Sequence, residues 1–232
     1  MNATAPTARI EDGLFLPDDA SVLTRLRVAV RALRVLEKRP DDTVAAPVLN
    51  ASLDGDTFAR HVRAMAESEL GRALLAKRPS LQKSSLDLEA LRAMPEGTLG
   101  HAFAKYFDDH KIAPFESPYE VRNDVDYIVK RYRETHDLVH VLTGYDTDAL
   151  GEMELQAFAL GNLQLRTSVL ILTFAALLRP HGLPPMWRYA AKLRRAFERG
   201  RRSRNIVEHD YEQFFSMTVD EARRALGFAP AS

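Results

Sequence analysis

Residues 22–36 read Val-Leu-Thr-Arg-Leu-Arg-Val-Ala-Val-Arg-Ala-Leu-Arg-Val-Leu, and the recurrence of their apolar positions decides the class of fold. Val22, Leu23, Leu26, Val28, Ala29, Ala32, Leu33, Val35 and Leu36 form a wide stripe at helical spacing, relieved by arginines. Asp18, Asp19 or Ser21 stands where it could cap the start. Outward from this stretch the same spacing predicts helices over 56–66, 70–76, 86–93, 99–107, 125–142, 148–178, 185–199 and 219–226, while the alternation of a half-buried strand is almost absent. Pro40, Gly55, Pro79, Pro95, Gly97, Pro114, Pro118, Gly144, Pro180, Gly182 and Pro184 fall between these blocks, where helix breakers belong. The expected fold is all-α: a single-domain multi-helix bundle over residues 22–232, preceded by a flexible lead-in over residues 1–21.

A chain of 232 residues can bury one large core. Its 32 Lys and Arg balance its 32 Asp and Glu, so no global field recommends nucleic acid or an anionic membrane as partner. With no cysteine, disulfides, thiolate metal sites and a thiol nucleophile are excluded, and any metal must ride on His, Asp and Glu. Residues 1–16 carry one Arg against Glu11 and Asp12 and lack an apolar core, unlike a signal peptide or an Arg-rich transit peptide. The longest mainly apolar stretch, the twelve residues between Arg166 and Arg179, would reach about 18 Å as a helix, against about 30 Å for a bilayer core. A transmembrane span is not expected, although a helix in an interface or lining a lipid cavity fits the length.

The chemistry concentrates at residues 131–142, Arg-Tyr-Arg-Glu-Thr-His-Asp-Leu-Val-His-Val-Leu. Leu138, Val139, Val141 and Leu142 mark this as a substantially buried helix, in which polar groups need partners. His136 and His140 stand one above the other on one helical face and can chelate one ion. Asp137 could reach that ion or hydrogen-bond a ligating imidazole, and spacing alone leaves both roles open. Gly144 suits a left-handed helix stop and Asp146, Thr147 or Asp148 the next cap, so the chain turns back and delivers Glu152 near the start of an antiparallel neighbour. Two imidazoles and two carboxylates suit zinc, or iron(II) or manganese where water fills open positions.

These residues resemble the coenzyme Q (ubiquinone) biosynthesis family of Coq-four type: His136-Asp137-x-x-His140, eleven residues, then Glu152. Met94-Pro95-Glu96-Gly97-Thr98-Leu99-Gly100, Arg131-Tyr132-Arg133-Glu134, Leu150-Gly151-Glu152, Arg39-Pro40-Asp41-Asp42, Gly71-Arg72, Arg78-Pro79 and Glu221-x-Arg223-x-x-Leu226-Gly227-Phe228 extend the likeness from about Leu23 to Phe228. The resemblance implies an α-helical protein holding a divalent ion, usually zinc, through His136, Asp137, His140 and Glu152. It also implies prenylated aromatic substrates, a multiprotein quinone-assembly complex at a membrane face, and removal of the ring carboxylate with hydroxylation at that carbon. This sequence departs from the family at Leu165-Arg166, where a Leu-Pro pair is common. The missing transit peptide favours a bacterial member, cytoplasmic or peripheral at the inner face of the membrane.

Two further readings stand beside an enzyme. A binding scaffold would use the metal to pin two helices and the stretch from Val169 to Leu178 to shelter an isoprenoid tail, against the plainer reading of that stretch as core. The cluster Arg188, Lys192, Arg194, Arg195, Arg199, Arg201, Arg202 and Arg204, with Trp187 and Tyr189, could meet phospholipid headgroups or a prenyl phosphate, or be a solvated face. Nucleic acid is not expected, since no recognition motif accompanies the cluster. A homodimer is expected from apolar helical surface. His61, His101, His110, His181 and His209 read as structural or exposed, although His209-Asp210 superficially repeats the His136-Asp137 pair.

Overall fold

The computed structural model describes residues 14, 16, 20–39, 42, 44–116, 121–178 and 185–230. The chain builds α1 (Val22–Lys38), α2 (Ala45–Glu67), α3 (Glu69–Lys77), α4 (Leu88–Arg92), α5 (Leu99–His110), α6 (Asp124–Glu134), α7 (His136–Thr143), α8 (Ala149–Leu163), α9 (Arg166–Leu178), α10 (Ala190–Arg202) and α11 (Val219–Ala225). Short 3-10 turns cover Met186–Arg188, Ile206–Glu208 and Tyr211–Phe214. Among the described residues the single β-type pairing is an isolated bridge between Thr98 and Thr218, so the fold is an all-α single domain. No helix there is long and apolar enough to cross a membrane.

Short polar side chains start most of these helices by accepting the orphan N–H groups of the first turn. Ser21, Ser68, Asp87, Thr98, Asn123 and Asp148 do so for α1, α3, α4, α5, α6 and α8. Thr218 and Glu221 form a reciprocal capping box at α11.

One core gathers Phe58 and Met65 of α2, Phe103 and Phe107 of α5, Tyr127 and Ile128 of α6, Leu138 and Leu142 of α7, and Phe158 and Leu163 of α8. A smaller cluster joins Val28, Ala29, Ala32 and Leu33 of α1 to Val48 and Leu49 of α2, with Leu170, Ile171 and Phe174 of α9 packed against it. The apolar stretch after Arg166 is therefore partly core. Its outer edge, Val169 and Leu177, stays exposed, as do Val22, Leu23 and Leu26 at the start of α1.

Several element boundaries differ from the periodicity. The helix expected over 56–66 begins at Ala45 and runs through Gly55, which is no breaker. Asp42 Oδ1 supplies the start by accepting from the N–H groups of Val44 and Ala45. The run 148–178 is divided because Gln164 takes a left-handed conformation, φ 59°. A new helix begins beyond it because buried Asp54, from α2, accepts from the N–H groups of Arg166 and Thr167 at 2.6 and 3.1 Å. The run 125–142 is interrupted at Thr135, whose hydroxyl turns back onto the Arg131 carbonyl at 2.9 Å. The expected helix over 185–199 begins only at Ala190 and ends at Arg202. Most of the lead-in over 1–21, and Pro40, Asp41, Pro118, Pro180, His181, Gly182 and Pro184, lie outside the described residues.

Candidate metal centre

The turn between α7 and α8 brings the expected residues of the two helices to one another. Gly144 ends α7 with φ 74°, and Asp148 caps α8 by accepting from Gly151 N–H at 2.7 Å. Gly151 allows the turn to be tight, because a Cβ there would meet the Asp146 carbonyl oxygen at 2.0 Å. Glu152 follows in the first turn of α8, where the helix dipole favours a carboxylate.

The end of α7 is held from two directions. Arg223 of α11 donates to the carbonyls of Leu142 and Val141 at 2.7 and 3.1 Å, and Arg199 of α10 donates to that of Thr143 at 2.7 Å. These cations satisfy carbonyls that a helix C-terminus leaves bare. Arg199 is only 4% exposed, and its guanidinium also faces the Tyr145 ring at 5.4 Å. It therefore leaves the surface cluster in which the sequence places it, and Tyr189, which is buried, leaves the interface with it. Trp187, by contrast, is exposed beside Arg188, whose guanidinium lies over its ring.

His136, His140 and Glu152 each offer a ligand atom, and these atoms all lie within 4.8 Å of one another. Glu152 Oε1 lies 3.1 Å from His140 Nε2, and Oε2 lies 3.5 Å from His136 Nε2. The other ring nitrogen of each imidazole is already engaged. His136 Nδ1 pairs with Asp137 Oδ1 at 3.3 Å, and His140 Nδ1 donates to the Tyr145 carbonyl at 3.1 Å. Both Nε2 atoms are thereby turned toward the carboxylate. Two ligands each about 2.0–2.1 Å from a tetrahedral zinc stand roughly 3.4 Å apart, so the donor set fits an ion with small adjustments. Asp137 is brought to the imidazole of His136 rather than into the trio.

Electrostatics binds the cluster together. Burial disfavours a charge on His136, but the carboxylates of Glu152 and Asp137 outweigh it and hold this imidazole at about 9. Burial likewise works against ionised Glu152, yet His136 and His140 overcome it and keep the carboxyl well below its usual range. Asp137 is lowered too, because His136 outweighs its burial. The Tyr106 ring stacks on His140 at 6.0 Å, and its phenol is pushed far up by burial and by the charges of Asp137 and Glu152.

Two features that shape the site were not assigned to it from the sequence. The Tyr145 carbonyl is a backbone atom and carries no residue signal, whereas Arg223 lies in the stretch Glu221-x-Arg223 noted above and so had one. The other described histidines fall outside the trio. His61 is held between the Leu163 carbonyl and Asn205, His101 binds the carbonyls of Arg92 and Met94, and His110 packs on Tyr106. His209 is buried, and burial, with Arg204 and Arg131, depresses it to about 4.

A family model described as coenzyme Q (ubiquinone) biosynthesis protein Coq4 matches residues 21–232. The mitochondrial ubiquinone biosynthesis protein COQ4 of Clavispora lusitaniae is 32% identical over 172 residues, covering 71% of this chain and 52% of that protein. Its counterpart from Pyricularia oryzae is 33% identical over 200 residues, covering 84% and 65%. The chain thus spans about half to two thirds of the length of these relatives. A crystal structure from Nostoc punctiforme, whose description proposes a role in ubiquinone biosynthesis, superposes with a TM-score of 0.71 at 23% identity, covering 97% of this chain and all of that one. That likeness is one of fold.

Proposed function

Because the chain belongs to the Coq4 family of coenzyme Q (ubiquinone) biosynthesis proteins, we propose that it is a metal-dependent protein acting on polyprenylated hydroxybenzoate intermediates. In this reading it removes the ring carboxylate and leaves a hydroxyl at the same carbon. Exchange of carboxylate for hydroxyl releases carbon dioxide and takes two electrons from the substrate, so an oxidant of the dioxygen class takes part. The observation that carries the reading is the convergence of His136, His140 and Glu152 on one point.

Held by these three side chains, a divalent ion supplies a Lewis acid for a phenolate or carboxylate oxygen; zinc adds no redox chemistry, whereas iron(II) or manganese would. The chain's own residues prepare the place. Asp137 and the Tyr145 carbonyl fix the imidazole orientations, and Arg199 and Arg223 hold the helix that carries them. The apolar cavity behind His136, lined by Tyr132, Val139, Leu155, Ala159 and Ile206, measures about 10 Å³ and admits no substrate ring. Of the three side chains, that of Glu152 is the most open to solvent, at 36% exposed.

Exposed Val169, Leu177 and Trp187 support a second reading, a non-catalytic scaffold that holds an isoprenoid lipid at a membrane surface within a quinone-assembly complex, as a homodimer. Elemental analysis of fresh protein, mass spectrometry of extracted lipid and a decarboxylation assay separate the two. Turnover that disappears with the metal in His140→Ala supports the enzyme; retained prenyl lipid without turnover under dioxygen and each candidate metal supports the scaffold. Full activity in metal-free protein overturns the metal-dependent reading.

A further inference from the structure

Two arginines stand two residues apart near the end of α6, and only Arg131 has a carboxylate hydrogen-bonded to its guanidinium. Arg131 is completely buried, and both of its Nη atoms are engaged, by the two Glu212 oxygens at 2.8 and 2.7 Å and by the carbonyls of Pro79 and His209 at 3.2 Å each, which leaves its Nε unpaired within a guanidinium already neutralised by a carboxylate. Arg133 is half-buried, and its Nη1 is shut off from solvent with no hydrogen-bond partner. Leaving a charged donor both desolvated and unpaired is unfavourable, and native structures seldom do so without a reason. Its guanidinium sits over the Phe115 ring, 5.1 Å from the centroid. Stacking of that kind occupies the face of the guanidinium and leaves its N–H edge for a planar oxyanion.

The position of this unused donor connects it with the candidate metal centre. Arg133 precedes His136 by three residues and Asp137 by four, which places it on the same side of the helical run. The acidic groups of the centre are otherwise committed, Asp137 to His136 and Glu152 to both imidazoles. A guanidinium with an unpaired Nη1 therefore lies beside a cluster whose carboxylates are hydrogen-bonded elsewhere.

We infer that Arg133 anchors the carboxylate of an aromatic acid bound next to His136, an assignment that rests on the reading of this centre as one that takes such acids. The anchor acts on binding and orientation, and its loss raises KM more than it lowers kcat. Lysine keeps the charge but not the two-pronged edge, and methionine keeps only the stem.

The test uses the metal-loaded full-length chain and two probes: 3-prenyl-4-hydroxybenzoate and 2-prenylphenol, which lacks the carboxylate. Calorimetry with wild type, Arg133→Lys and Arg133→Met is accompanied by melting temperature and metal content. We expect wild type to prefer the acid, Arg133→Met to lose about tenfold or more of its affinity for the acid and none for the phenol, Arg133→Lys to fall between, and metal content to stay constant. Undiminished preference for the acid in Arg133→Met overturns the anchor alone; should that variant fail to fold, undiminished preference in Arg133→Lys does the same. Displacement of the acid by equimolar inorganic phosphate would reassign the anchor to phosphate and overturn the carboxylate assignment. Failure of wild type to bind either probe overturns the reading of the centre itself and the anchor with it.

Discussion

His140 and Glu152 face each other across the α7–α8 turn with Nε2 and Oε1 3.1 Å apart, while the far side of the same imidazole is tied to the Tyr145 carbonyl at 3.1 Å. The ring is fixed at both ends, so its orientation does not depend on an ion being present. A preformed donor of this kind loses little freedom on coordination.

Removing either partner should therefore empty the site. We expect wild type to hold about one divalent ion per chain, and His140→Ala and Glu152→Ala to retain less than about a tenth of that after dialysis, as expected when an open site loses one of its few ligands. Elemental analysis after size-exclusion chromatography measures it. Full occupancy in both variants would remove the basis of the proposed centre.

Asp137 separates two roles that spacing left open. Its carboxylate engages His136 Nδ1, which predicts that Asp137→Ala weakens metal affinity by about 10–100-fold while stoichiometry is restored at high metal. Asp137→Asn keeps an oxygen that can accept from the ring and should lose less. Competition titration with a chromophoric chelator reads both; equal and complete loss in the two variants would make Asp137 a ligand.

The metal-free protein should show the pH signature of His136. Its imidazole rises from an ordinary value of about 6.5 to about 9. A raised value contributes stability that is fully present below about pH 6.5 and lost as the pH climbs to about 9. The melting temperature of the chelated protein should fall across that window more in wild type than in His136→Gln. Parallel profiles for the two proteins would show that this group contributes nothing.

His209 has the opposite sign. Held at about 4, it stays neutral in the folded chain between about pH 6.5 and pH 4 while the unfolded chain takes up a proton, so stability falls as the pH drops through that interval. For a group this buried the loss is on the order of 3 kcal/mol. Denaturant titrations at pH 7 and pH 4.5 should show a smaller difference for His209→Phe than for wild type, and an unchanged difference would contradict the depressed value.

The ligand residues were legible because they lie on neighbouring turns of adjoining helices, where residue spacing and one glycine stop dictate geometry. Gly144 takes the left-handed conformation that its type suggests, and Asp148 caps the returning helix. What escaped the sequence depends on contacts between distant segments. Asp54 starts α9 from more than a hundred residues away, and Arg199 is drawn out of a basic run by a carbonyl on α7. Periodicity sees neither, because both are satisfied by backbone groups that every residue carries. Thr135 and Gln164 divide helices without Pro or Gly, so breaker residues gave no warning there.

Glycines give the last test, because Gly55 on one hand and Gly161 and Gly200 on the other sit inside helices with opposite surroundings. A Cβ on Gly55 would meet nothing within 4 Å, whereas one on Gly200 would meet the Phe158 carbonyl oxygen at 2.1 Å, and one on Gly161 the Phe197 carbonyl oxygen at 2.1 Å. The pair lets α8 and α10 approach backbone to backbone, and a carbonyl cannot move aside as a flexible side chain can. Gly55→Ala should raise stability by about 0.5–1 kcal/mol, since alanine loses less freedom in a helix. Gly200→Ala should lower it by roughly 1–3 kcal/mol or more through overpacking. At about 2–4 °C per kcal/mol for a chain of this size, the two melting temperatures should move apart on either side of wild type. A Gly200→Ala protein as stable as wild type would mean that α8 and α10 are not in close backbone contact.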